Sequence, residues 1–187
     1  MSLQNTLEHA RNSQIVIEIF GLGYVGFPLA VRLSGQGLNV IGIDVNQNRV
    51  ERLEKGLLMD SEIHLKEQFL ASRNAKKLSF SATPQSLELP KIGIICVPTP
   101  IPGPGIQSYK FVKSAVEKFL EFAKAGDLII LESSIEVGTT ESIAELILQK
   151  SFDVGKNFGL IFCPERIDPA NKEWGIENIP RVIYASD

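Results

Sequence analysis

Gly21, Gly23 and Gly26, in the stretch GLGYVGFPLA, stand at G-x-G-x-x-G spacing, where missing side chains let backbone amides close on a diphosphate. The turn follows the β-branched run IVIEIF (15–20). It opens a segment with Leu29, Ala30 and Leu33 at helical spacing, so a new helix would aim its free N–H groups at the ligand. Asp44 closes the next apolar run, NVIGID, 18 residues beyond Gly26. A carboxylate there accepts hydrogen bonds from adenosine ribose hydroxyls and repels a 2′-phosphate, which favours NAD over NADP. Glycines also serve tight βαβ turns that bind nothing, but strand, turn, helix, strand and acid in this order favour a dinucleotide.

Three further stretches sit where apolar runs end. CVPTP (96–100) overlaps the end of KIGIICV (91–97), and in a doubly wound sheet the carboxyl ends of strands line the ligand crevice. Alone, Pro98 and Pro100 would merely end a strand, and Cys96 reads as a small core residue and not a nucleophile. LESSIEVGTT (131–140) brings the hydroxyls of Ser133, Ser134, Thr139 and Thr140 near the crevice, while Gly138 frees the backbone. Thr139 or Thr140 serves equally well as a plain helix cap. In CPERIDPAN (163–171), Glu165 stands just past a run end, where a carboxylate can position water or act as a base. Arg166 could pair with it or reach a phosphate, although an exposed Glu–Arg pair is often only solvated surface. Asp168 before Pro169 reads as a turn residue. Cys163 has no histidine near it, and His9 and His64 stand in polar stretches, so neither a Cys–His pair nor a metal site is expected.

Positioning these residues takes alternating strands and helices. The lengths call for a Rossmann-type, doubly wound, mostly parallel sheet with helices on both faces, in an α/β chain. Asn46 should cap a helix over QNRVERLEKG that closes at Gly56, and residues 57–75 read as polar helix and loop. KLSF is a short strand, whereas 98–108, with four prolines and two glycines, is a loop. YKFVKSAVEKFLEFAKAG is a helix with Phe111, Ala115, Phe119 and Phe122 on one face. DLIILES, TTESIAELILQK and FGLIFCP read as strand, helix and strand, and the tail IPRVIYASD as a last strand. Glu18 is the misfit, a charge in the middle of an apolar strand that needs solvent or a partner.

The 187 residues suit one substantial domain, taken as 14–187 behind an N-terminal extension of 1–13. Hydrophobic residues make up 44% and charged residues 22%, as in ordinary globular cores, and the net charge of −3 favours neither nucleic acid nor an anionic membrane. Two cysteines far apart, no long apolar run and a polar amino terminus point to a reducing, cytoplasmic setting without a membrane span.

Together, GLGYVGFPLA, CVPTP, ESSIEVGTT and CPERIDPAN resemble, in order and spacing, the UDP-glucose/GDP-mannose dehydrogenase family over about residues 14–185. The PERIDP form is most similar to the branch acting on UDP-N-acetylglucosamine or UDP-N-acetylmannosamine. The resemblance implies a four-electron oxidation of a sugar C6 alcohol to a carboxylate with two NAD⁺, through a thiohemiacetal and a thioester on a cysteine. It implies that Gly21, Gly23, Tyr24, Val25 and Gly26 cradle the pyrophosphate and that Asp44 takes the ribose. Arg49 matches a basic position near the adenosine end, and Pro98, Thr99 and Ser133 belong to the cofactor site. Ser134 stands where the family has a threonine that orders the catalytic water, and Glu165 matches the glutamate assigned to hydrolysis.

The pattern is not followed everywhere. Ala170 replaces a usual glycine, Gln107 a frequent aspartate, and the tail lacks its usual glycines. The family's nucleophilic cysteine, lysine and asparagine come from later regions, and neither Cys96 nor Cys163 matches that cysteine. The expectation is therefore an N-terminal cofactor domain, inactive alone, of a protein that dimerises through a central helix beyond this stretch and takes a UDP-sugar. Two alternatives stay open: a 6-phosphogluconate-dehydrogenase-like oxidoreductase, which should lack CVPTP and PER, and a non-catalytic NAD-sensing or interaction module.

Overall fold

The computed structural model describes residues 3–100, 109–165 and 178–185. Strands β1 (Val16–Phe20), β2 (Asn39–Ile43), β3 (Leu78–Ser81), β4 (Lys91–Ile95), β5 (Leu128–Leu131), β6 (Gly159–Phe162) and β7 (Tyr184–Ala185) form one sheet in the order β3-β2-β1-β4-β5-β6-β7. All neighbours are parallel except the antiparallel β6/β7 pair. The order reverses between β1 and β4, which makes the carboxyl ends of those strands the natural crevice for a ligand.

Helices α1 (Leu3–Arg11), α2 (Gly26–Gly35), α3 (Gln47–Glu54), α4 (Lys66–Asn74), α5 (Lys110–Leu120) and α6 (Thr139–Gln149), with a 3₁₀ turn at Asp60–Leu65, flank the sheet. Because side chains alternate along a strand, each strand feeds two cores. Ile17 and Ile19 join Phe27, Phe69 and Phe80 on one face, and Phe20, Ile95 and Ile129 join Phe119, Phe158 and Ile143 on the other. Each fully buried Phe or Ile contributes about 1.5–3 kcal/mol of transfer free energy, which is what holds the layers together.

Asn46 caps α3 by accepting from the Arg49 amide at 3.2 Å, and Gly56 follows the helix at φ +76°. Three expectations need correction. The buried face of α5 is Val112, Ala115, Val116, Phe119 and Leu120, so Phe111 and Phe122 are exposed; the helical stripe is centred about one residue on from Phe111. Neither Thr139 nor Thr140 caps α6: Gly138, at φ +90°, occupies the N-cap, where no side chain bonds. Among the described residues the expected last strand is confined to Tyr184 and Ala185, which run antiparallel to β6 at the sheet edge. The stretch ahead of β1 carries α1, whose buried Thr6 hydroxyl donates to the Gly126 carbonyl at 2.6 Å.

Glu18 finds its partner across the sheet. It is 0% exposed, and its carboxylate meets Lys91 Nζ, itself 2% exposed, at 3.1 Å. Lys91 opens β4 opposite Val16, so both side chains leave the same face on neighbouring strands. The ammonium also lies 4.5 Å from the Phe119 ring centroid, and the Lys91 amide donates to Asp127 at 2.9 Å. Burial still pushes the Glu18 carboxyl above its ordinary value, opposed by Lys91 and by the Gln85 amide.

Candidate functional site

Each key stretch begins where a strand stops, and the hydrogen-bond ladder runs one or two residues past the strands. Gly21 donates to Ile43 at 2.8 Å, Cys96 to Phe20 at 2.8 Å, Ser133 to Ile95 at 3.0 Å, and Cys163 to Leu131 at 2.9 Å. These bonds align the ends of five strands, β2, β1, β4, β5 and β6, around a cleft of about 720 Å³. Gly21, Gly23, Tyr24, Val25, Asp44, Arg49, Pro98, Thr99, Ser133, Ser134 and Glu165 all line it. Phe111, Ser114 and Lys118 of α5 form part of its wall. Thr139 and Thr140 do not line it, and Gln107, Arg166, Asp168 and Ala170 lie outside the described residues.

The three glycines of the turn do different work. Gly21 has φ +91°, and a Cβ there would come within 2.7 Å of the Cys96 carbonyl oxygen. A Cβ on Gly26 would sit 1.9 Å from the Gly21 oxygen, so this glycine lets the start of α2 pack against the turn and the end of β4. A Cβ on Gly23 would meet no protein atom within 4 Å. Gly23 therefore leaves open space on the cleft side, where a diphosphate can approach the backbone, beside an α2 start that no side chain caps.

Asp44 is fastened over this turn. Its Oδ2 accepts from the Leu22 amide and its Oδ1 from the Asn46 amide, both at 2.8 Å. Arg49, from the first turn of α3, donates through Nε to the Leu22 carbonyl at 3.2 Å and forks onto the Glu62 carboxylate. Its guanidinium carbon lies 5.0 Å from the centroid of the Phe27 ring.

At the other end of the cleft, the Ser133 hydroxyl stands against the Val97 and Ile95 carbonyls, at 2.8 and 3.2 Å, and so ties the CVPTP turn to β5. Ser134 is exposed in the cleft. The Glu165 amide donates to the Glu132 carbonyl at 2.9 Å, and the Glu165 carboxylate pairs with Arg181. Arg181 also bonds Glu132 at 2.6 Å and reaches Cys163 Sγ at 3.9 Å. Burial raises the Glu132 carboxyl above its ordinary value, against the pull of Arg181. For Arg181 burial acts downward, yet Glu132 and Glu165 together hold its basicity above normal. Among the described residues, Glu132 Oε2 has no hydrogen-bond partner, an acceptor left over on the wall of the cleft. Burial first, then Glu132 and Glu165, push the Cys96 thiol well above its ordinary range, so it stays protonated as a packing group.

Sequence reasoning missed Glu132, Arg181, Glu62 and Lys91. Glu132 had a usable signal, since it ends an apolar run just as Asp44 does. Arg181 and Lys91 are lone cations beside apolar runs, and the carboxylates they pair with are legible only once the strand order is known.

A family model for the UDP-glucose/GDP-mannose dehydrogenase family, NAD binding domain, matches residues 15–187. The chain belongs to this family. It is 33% identical over 172 residues to a UDP-N-acetyl-D-glucosamine 6-dehydrogenase of Pseudomonas aeruginosa, covering 91% of this chain and 40% of that protein. It is 37% identical over 156 residues to a UDP-N-acetyl-D-mannosamine dehydrogenase of Methanococcus aeolicus, covering 82% and 34%. The UDP-N-acetyl-mannosamine dehydrogenase Cap5O of Staphylococcus aureus superposes with a TM-score of 0.74 at 31% identity, covering 82% and 37%. This chain thus spans between a third and two fifths of the length of these relatives. NAD is the cofactor of the domain, and the open backbone at Gly23 with the carboxylate of Asp44 fits it. Among the described residues no helix is long and apolar enough to cross a membrane, and no three His, Cys, Asp or Glu side chains group to hold a metal ion.

Proposed function

We propose that this domain serves an NAD-dependent dehydrogenase that oxidises the C6 alcohol of a UDP-N-acetylhexosamine to the uronic acid. The observation that carries the reading is the single cleft that joins the glycine turn, Asp44, Ser134 and Glu165 at the carboxyl edge of the sheet. The nicotinamide, when bound, supplies a hydride acceptor. The turn and the start of α2 hold the diphosphate, Asp44 accepts from the ribose hydroxyls, and Pro98 and Thr99 border the cofactor. Turning an alcohol into a carboxylate removes two hydrides and adds one water oxygen, so a group beside the reacting carbon must take a proton from water. Glu165 has that role, with Ser134 orienting the water and Arg181 fixing the Glu165 carboxylate. The same reading takes a UDP-sugar as substrate, a homodimer as the assembly, the cytoplasm as compartment and polysaccharide precursors as products.

The test is Glu165→Gln in the full-length gene product, supplied with NAD⁺ and UDP-N-acetylhexosamines. The expected result is turnover slowed by about a hundredfold or more, with a sugar adduct retained on the protein by intact mass. Wild-type turnover without an adduct would remove Glu165 from the reaction.

A further inference from the structure

Glu132 holds Glu165 from two directions. Its carbonyl accepts from the Glu165 amide at 2.9 Å, which seats the backbone of that residue beside the end of β5. Its carboxylate takes Arg181 Nη1 at 2.6 Å, while Nη2 of the same guanidinium meets the Glu165 carboxylate. The three residues thus close a ring of one backbone bond and two ion pairs. Glu132 is the fixed member, because its own amide donates to the Ile95 carbonyl at 3.0 Å in the ladder between β4 and β5. Arg181 comes from a stretch outside any strand or helix, and its side chain is 23% exposed. A long cation on such a stretch has many rotamers and needs an anchor to present one nitrogen in one direction. A carboxylate at position 132 also costs the fold something. Its Oε2 is buried without a hydrogen-bond partner among the described residues, a burden that an apolar side chain would not carry.

We infer that Glu132 is a positioning residue for the water-consuming step: by anchoring Arg181 it sets the direction of the Glu165 carboxylate. With the guanidinium plane held at Nη1, Nη2 faces one way, and Glu165 keeps one orientation on the cleft wall. The side chains of Glu132 and Glu165 are only 6% and 5% exposed, so water screens these pairs weakly. Removing the Glu132 side chain leaves its carbonyl bond to the Glu165 amide intact. The backbone of Glu165 then stays in place and only its carboxylate is loosened.

The inference rests on the reading of Glu165 as the group that takes a proton from water, and the test keeps the two apart. It follows single turnovers of the full-length gene product with NAD⁺ and UDP-N-acetylhexosamines. In Glu132→Met the uronic acid should form about fivefold more slowly, and the sugar adduct should stand longer by intact mass. The first NADH should appear at the wild-type rate, and the KM for NAD⁺ should stay within about twofold. Glu132→Gln keeps an acceptor for Nη1 and should recover most of the lost rate. Added to Arg181→Met, Glu132→Met should slow the last step no further, because both remove the same hold. A merely structural Glu132 would lower the melting temperature, slow both phases alike and add to the effect of Arg181→Met. Wild-type kinetics in folded Glu132→Met, a slowed first NADH, no recovery in Glu132→Gln, or a loss that adds to that of Arg181→Met would overturn the role of Glu132 alone. Wild-type turnover without an adduct in Glu165→Gln would overturn the reading of Glu165 and this inference with it. Should Glu132→Met not fold, Glu132→Asp, shorter by one methylene, should show the same pattern with a smaller factor, and wild-type kinetics there would equally overturn it.

Discussion

Two charged clusters sit at opposite edges of the same sheet and behave differently. Near the amino edge, Glu18, Lys91 and Asp127 are sealed, with exposures of 0%, 2% and 1%, and Phe119 covers the Lys91 ammonium. At the carboxyl edge, Glu132, Arg181 and Glu165 form a similar acid–base–acid cluster, but Glu132 and Glu165 line the open cleft. Burial acts on both: it lifts Glu18, Asp127 and Glu132 above ordinary carboxyl values. The sealed cluster can only hold the fold or break it. The open one holds a carboxylate in a set orientation where a ligand can reach it. The same pattern of acid, base and acid therefore acquires different work from the edge it occupies.

The largest effect should come from the sealed side. Lys91→Met leaves the Glu18 carboxylate buried without its counter-ion and should destabilise the chain by about 3–5 kcal/mol in urea unfolding. Glu18→Leu together with Lys91→Met should recover most of that loss, since an apolar pair of similar volume often replaces a buried ion pair without penalty. NAD⁺ affinity of the folded double variant should stay near that of the wild type; a marked loss would break the contrast between the edges.

Arg181→Met should show the reverse balance. Its side chain is 23% exposed, so the stability loss should be smaller, roughly 1–2 kcal/mol. In the full-length gene product it should lower kcat by about tenfold or more while leaving the KM for NAD⁺ within a few-fold, because the Glu165 carboxylate loses its hold and the adenosine site is untouched. Arg181→Lys should restore the charge but only part of the rate, for an ammonium lacks the rigid planar fork that fixes both carboxylates.

The smallest effect is in pH dependence. Glu18 and Glu132 both have folded values raised above the ordinary 4.5, so each binds its proton more tightly folded than unfolded. Their contributions are complete below pH 4.5 and are lost as pH rises through the folded values. Melting curves across that window should flatten in Glu132→Gln, and flatten separately in the Glu18→Leu, Lys91→Met double variant. Equal slopes in all three proteins would contradict the part assigned to burial.

Much of the frame was legible because it is local. The glycine turn, the Asn46 cap and the apolar strands each declare themselves within a few residues. Glu18 stood out as a misfit on the same grounds, but its partner lies 73 residues away and becomes a neighbour only through the β1/β4 crossover. Arg181 was hidden likewise, being 49 residues from Glu132 and 16 from Glu165. Phe111 and Phe122 misled because aromatic rings near helical spacing suggest a core face, whereas α5 turns Phe111 to the cleft. Helix α1 went unseen because LQNTLEHAR is polar on average; among the described side chains the buried Thr6 hydroxyl meets the loop before β5 and Ala10 packs against the core.

Leu22 lends its amide to Asp44 and its carbonyl to Arg49, one peptide residue gripped from both sides by opposite charges. Evolution therefore cannot edit the acid here without touching the backbone between β1 and α2. Exchanging Asp44 for an apolar residue releases the Leu22 amide and slackens that bend. A lineage that loses the acid has to re-anchor that bend in the same step, which makes the position slow to drift.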